Sequence, residues 1–234
     1  MTPEQEQAIA DLRTRNVSPK QIARQLGLRP AEVSAVIKAQ AVKATAERVA
    51  SGELNPLHRC LVNTNGWAGL TTPPPEETDE DADVDGADGF ALVIVSRLAG
   101  FNRLEVASFL VDIWCLGVKD AMPTRTIDVT TYKEFVEFAY EKFPTGYEEI
   151  SLEQAQAIVF GGVAYAESLG FQPHRDFAQA KAILGEQAGD LPLHFGRNGK
   201  PYFINGPHDD DIKILHTLRE NVGDGNFHYT MMLG

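Results

Sequence analysis

Apolar residues recur at helical spacing through the first fifty positions. Ala8, Ile9 and Leu12, then Ile22, Ala23 and Leu26, then Val33, Val36 and Ile37 mark the buried stripes of three short helices. Thr2-Pro3 and Ser18-Pro19 each pair a capping side chain with a proline suited to the first helical position, and Arg29-Pro30-Ala31-Glu32 opens the third helix. Gly27 falls where a tight inter-helix turn needs a residue tolerant of positive φ. Residues 40–52 continue the third helix as an alanine-rich extension that stops at Gly52. The stretch 54–70 shows no clear period and is expected to be an irregular, packed segment. Residues 71–89 hold three prolines and eight acids, with Val84 as the one large apolar residue, and so predict a self-repelling linker.

From Phe90 the period changes. ALVIVSRL (91–98), a short Ala-Gly-Phe-Asn turn and the run from Leu104 to Leu116 predict a β-hairpin. The stretch 109–116 is so evenly apolar, up to Gly117, that it reads as a strand buried on both faces. Asp112 lies inside it, and a buried carboxylate requires partners. Amphipathic helices are expected over 130–143, 151–170, 176–184 and 209–223, the second with Ser151 and Gln154 as a capping box and Gly170 as its stop. Gly161-Gly162 in mid-helix, each costing about 1 kcal/mol of helix stability, point to close approach of another backbone, the strand at 109–116 or a symmetry mate. Aromatic runs around Gly196-Arg197-Asn198-Gly199 predict a second hairpin over 193–206, and residues 226–233 a final strand. The expected fold is α+β without a parallel βαβ unit. A tri-helical domain over 1–52 precedes an irregular segment and linker over 53–89 and a mainly antiparallel sheet packed with helices over 90–234.

Charge divides the chain in the same way. Residues 1–50 hold eight Lys and Arg against five acids, whereas the remainder holds 13 bases against 28 acids, so +3 stands against −15. A polyanion could bind only through the N-terminal part. With 43% hydrophobic residues the chain can bury a core without disulfides, and its two cysteines, Cys60 and Cys115, suit a reducing compartment. No run approaches the eighteen apolar residues of a membrane span and no signal-peptide pattern opens the chain, so a cytoplasmic location is expected.

The stretch SPKQIARQLGLRPAEVSAVIKA, through Ile22-Ala23, Leu26-Gly27-Leu28 and Val33 with Val36 or Ile37, resembles the helix-turn-helix of sigma-factor-like bacterial DNA-binding domains. The resemblance covers about residues 4–40; the rest of the chain resembles bacterial proteins that carry no functional assignment. In such modules the third helix enters the major groove and the second crosses the backbone. The resemblance implies that Arg29, Glu32, Ser34, Ala35 and Lys38 face the groove and that Lys20 and Arg24 sit near phosphates. It implies double-stranded DNA as the partner of residues 1–40. The third helix offers little positive charge, so a homodimer is expected. Docking of a protein partner is the alternative use of three such helices.

Chemistry elsewhere rests on sparser patterns. Cys115 with His174 or His228 as base and Asp112 or Asp176 as orienting group would form a nucleophilic site. Asp112 and Lys119, with Asp120 and Glu105, resemble the acid-plus-lysine grouping of metal-dependent nucleases, without their usual spacing. These residues define an alternative enzymatic reading, a hydrolase or nuclease centred on Asp112, Cys115 and His174. His174-Arg175-Asp176 ahead of a short helix suits an anion or, more simply, an Asp N-cap. His58 and Cys60 lack the further ligands a metal site needs. Asp81, Asp83, Asp85 and Gly86 imitate the opening of a calcium loop, but Leu92 stands where the bidentate acid belongs. No GxGxxG, Walker, HExxH or GxSxG pattern occurs, and no cofactor is expected. The sequence therefore reads as a DNA-binding transcriptional regulator with a C-terminal dimerisation or sensing domain.

Overall fold

The structure is a computed structural model that describes residues 2–15, 17–73, 87–189 and 191–231. The acidic stretch 74–86, including the calcium-loop imitation, lies outside the described residues. The chain divides into two compact units, residues 1–55 with 185–191, and residues 56–184 with 192–234.

The first unit is built from α1 (Pro3–Arg13), α2 (Pro19–Leu26) and α3 (Pro30–Ala50). Thr2 and Ser18 close capping boxes with Gln5 and Gln21, so side chains supply the bonds that the first backbone N–H groups would otherwise lack. Gly27 ends α2 at φ +66°, a left-handed conformation that glycine adopts without a Cβ penalty. Ile9, Ile22, Ala23, Val33 and Ile37 form the core. Gly185–Leu191 belongs to this unit as well: Gly185 lies against Thr45 and Leu54, and Glu186 lies 3.9 Å from Arg48.

The second unit carries a five-stranded antiparallel sheet of β1 (Leu57–Asn63), β2 (Phe90–Leu98), β3 (Arg103–Asp112), β4 (Gly117–Asp128) and β5 (Tyr147–Ile150), in the order β4-β3-β2-β1-β5. The fold class is α+β, as the periodicities predict. Segment 53–89 departs from expectation. It supplies the interior strand β1 and the helix α4 (Thr64–Thr71). Cys60, Leu61 and Val62 are buried on both faces of the sheet, so they show no alternation that could have announced a strand. A bulge between Leu57 and Arg59 accompanies the edge-on contact of His58 with Tyr132, while Cys60 joins the opposite core.

Two layers cover the sheet. On one face α6 (Leu152–Ser168), α7 (Phe177–Ala180) and a 3-10 turn at Lys181–Leu184 enclose the main core around Val93, Phe109, Val111 and Ile158. On the other, α5 (Val129–Tyr140) places Tyr132, Val136 and Tyr140 over Leu61, Ile94, Leu104 and Val106. Ser151 caps α6 through the expected box with Gln154. Of the paired glycines, Gly162 makes the close approach: a Cβ on Gly117 would lie 2.5 Å from the Gly162 carbonyl oxygen, and a Cβ on Gly162 would lie 2.5 Å from Val111 Cγ1, whereas Gly161 faces the Phe195 ring.

The anticipated hairpin over 193–206 is reduced to a single bridge between Arg197 and Lys200 across Asn198 and Gly199, both at positive φ. The strand beyond it, β6 (Tyr202–Ile204), pairs in parallel with β7 (His228–Thr230), and α8 (Asp211–Asn221) connects them. This corrects the expectation that no parallel βαβ unit occurs. Strands of three residues are too short for periodicity to assign a partner. Cys115, Leu169, Phe203, Leu218 and Phe227 form the small core beneath this unit.

Candidate functional site

The α2–turn–α3 segment holds the residues that the sequence assigns to DNA. The Leu28 N–H bonds to the Ala23 carbonyl at 2.9 Å, which fixes the turn, and Ile22, Ala23, Val33 and Ile37 bury the inner faces of both helices. That leaves Lys20 and Arg24 exposed one turn apart on α2, with Arg29, Ala35 and Lys38 exposed at the start of and along α3. Ser34 and Glu32 are half-buried. Arg29 and Glu32 are joined to each other. The Arg29 guanidinium donates to Glu32 at 2.6 Å, and the Arg29 backbone N–H donates to the other carboxylate oxygen at 3.1 Å. The guanidinium holds the Glu32 carboxyl below its usual range. The Arg29 guanidinium is thus engaged by Glu32.

In the second unit the apolar run 109–116 is not one strand. It breaks after Asp112 because the Asp112 Oδ1 accepts the N–H groups of Trp114 (3.0 Å) and Cys115 (2.9 Å), and Gly117 turns the chain at φ +65° into β4. Asp112 therefore closes a turn, which answers why a carboxylate is buried there. Burial pushes its pKa up to about 6, against the pull of these N–H bonds and of Lys119. Cys115 is fully buried in the small core, and desolvation drives its thiol pKa far up. A thiol without thiolate character or access is packing, not a nucleophile.

Lys119 pairs with Asp209 at 2.6 Å, and Asp209 also accepts the Gly206 N–H at 2.7 Å. His174 Nδ1 accepts the Asp176 N–H at 3.3 Å and lies 3.8 Å from the Asp120 carboxylate and 3.9 Å from that of Asp176. Asp176 precedes α7 without forming a side-chain cap, contrary to the simpler reading of it as an N-cap. Lys119 and His174 share the lining of one cavity, while Asp112 and Cys115 are buried. Among the described residues no cluster of three or more His, Cys, Asp or Glu could hold a metal ion.

Comparison with protein-family models, curated proteins and solved structures finds no match to this chain. No helix among the described residues is long and apolar enough to cross a membrane. Sequence reasoning missed Asp209, the partner of Lys119, and Lys213, which lines the same cavity. Ninety positions separate Lys119 from Asp209, and no local pattern encodes so distant a pair.

Proposed function

We infer that the protein binds double-stranded DNA through α2 and α3 and acts as a transcriptional regulator, as a homodimer. The observation that carries this reading is the three-residue turn at Gly27, which joins two helices whose outer faces expose Lys20, Arg24 and Lys38. The basic balance of residues 1–50, set against −15 in the rest, directs a polyanion to these helices. With three phosphate contacts per protomer, six per dimer, log K should fall with log salt at a slope of about −5.

The test is fluorescence anisotropy of the full chain on random-sequence duplex between 50 and 200 mM salt. The triple change Lys20→Ala, Arg24→Ala, Lys38→Ala removes six contacts from the dimer, so it should weaken binding for all sequences and flatten the slope by about 5. Absence of binding by the unaltered protein at the lowest salt overturns the reading. A second reading, docking of a protein partner, is favoured by the Arg29–Glu32 pair, which neutralises the start of α3. An enzymatic role centred on Cys115 is disfavoured by its burial.

A further inference from the structure

We propose that the cavity between β4, the Gly170–His174 loop and α8 binds a small carboxylate with an apolar body. The cavity measures about 400 Å³, within the range of small-molecule sites. Its walls are Leu116, Val118, Phe171 and Ile214, which accept a hydrocarbon chain or ring. Its charged lining is Lys119, Lys213 and His174.

Each of these groups has a defined partner or a defined freedom. Lys119 is held in place by Asp209 at 2.6 Å, so its ammonium is positioned but partly compensated. Lys213 lies in the first turn of α8, and its ammonium has no carboxylate within ion-pair distance among the described residues. The His174 Nδ1 accepts a backbone N–H, which leaves the proton of the neutral ring on Nε2, a donor. The Thr217 hydroxyl donates its one proton to the Lys213 carbonyl at 2.9 Å and so is committed within α8. The acids nearest this lining are Asp209, committed to Lys119 and Gly206, Asp210, whose carboxylate accepts the Lys213 backbone N–H at 3.1 Å, and Asp120 and Asp176, which flank His174.

These features select the ligand. Apolar walls with a few convergent polar groups favour a molecule with a hydrocarbon body and one polar end. The Lys213 ammonium and the His174 ring N–H favour an anionic end, and charge-assisted bonds to it are the strong ones. An amine would meet the like charge of Lys213, and an uncharged alcohol would forgo the ionic bond. The site is separate from α2 and α3, and its occupancy is measured without DNA, so the two readings stand or fall apart.

The experiment titrates benzoate and hexanoate into the full-length protein and follows backbone amide shifts by NMR, with benzyl alcohol and hexylamine as controls. The expected result is saturable shifts centred on Val118, Lys119, Phe171 and Lys213 with the carboxylates. The Lys213→Ala variant should bind about tenfold more weakly, and Lys213→Glu should not bind measurably. Lys213 is exposed, so neither change threatens the fold. Equal binding of benzyl alcohol and benzoate, unchanged affinity in Lys213→Glu, or no shift at these residues overturns the proposal.

Discussion

Replacing Gly162 with alanine tests how closely α6 approaches the sheet. The added Cβ would lie 2.5 Å from Val111 Cγ1, where carbon–carbon contacts settle near 3.5–4.0 Å. Val111 is fully buried, and its branched side chain has little rotamer freedom. The helix or strand must therefore shift by about 1 Å, and such overpacking costs about 1–3 kcal/mol. Alanine returns about 1 kcal/mol of helix propensity, so the net loss should be about 1 kcal/mol. Gly117→Ala should cost about 3–5 kcal/mol. Its φ of +65° adds about 1–2 kcal/mol of strain, and its Cβ would meet the Gly162 carbonyl at 2.5 Å and Ala166 Cβ at 2.6 Å. Gly161→Ala meets only the Phe195 ring, at 2.9 Å, and should be near neutral. Urea unfolding followed by tryptophan fluorescence reads the series as midpoint shifts, about 0.5 M per kcal/mol at constant slope. A Gly162→Ala midpoint at or above that of the unaltered protein, or a Gly117→Ala variant no worse than Gly162→Ala, would refute the close approach.

Two further predictions concern buried titratable groups. Asp112 has a folded pKa of about 6, raised by burial from 3.8, so the folded state holds this proton more tightly than the unfolded chain. This group's contribution to stability therefore falls as pH rises from about 4 to 6, by up to about 3 kcal/mol. Asn in its place keeps the acceptor for Trp114 and Cys115 and removes the charge. The stability of Asp112→Asn relative to the unaltered protein should rise across that window in urea titrations, and a flat difference would contradict the assignment. Burial raises the Cys60 thiol pKa to about 12 and drives that of Cys115 up as well. Neither thiol should react with Ellman's reagent until the protein is unfolded in urea, and a fast native reaction would reopen the nucleophile reading.

Signals confined to a few neighbouring residues were legible in the sequence. The N-caps at Thr2 and Ser18, the capping box at Ser151 and the turn at Gly27 depend on residues at most four apart, and each is present. The hairpin of β2 and β3 was equally plain, with Phe90 opposite Asp112 and Leu98 opposite Leu104. Gly161-Gly162 announced a close approach, although the partner glycine, Gly117, could not be named from spacing. What escaped depends on distant partners. β1 is interior because β2 and β5 flank its edges, and it is buried on both faces because α6 covers one side and α5 the other, which its mixed residues do not reveal. The break at Asp112 was hidden by the apolarity of Ile113, Trp114 and Cys115, which belong to packing around a turn. Lys119, His174 and Lys213 come together only through the placement of α8, and the pairing of β6 with β7 spans more than twenty residues.

The loop Gly185–Leu191 gives the small N-terminal unit an unusual covalent topology. The chain passes between the two units at Asn55–Pro56, Leu184–Gly185 and Leu191–Pro192. Just before the second crossing the Arg97 guanidinium holds the Ile183 carbonyl and the Gln156 amide holds that of Leu184, each at 2.7 Å. A fragment ending at Asn55 would thus be an incomplete object, missing Gly185, which lies against Thr45 and Leu54, and Glu186, which lies near Arg48. Those residues emerge from the ribosome about 130 positions later, so the N-terminal unit attains its full set of contacts only after most of the sheet has been synthesised.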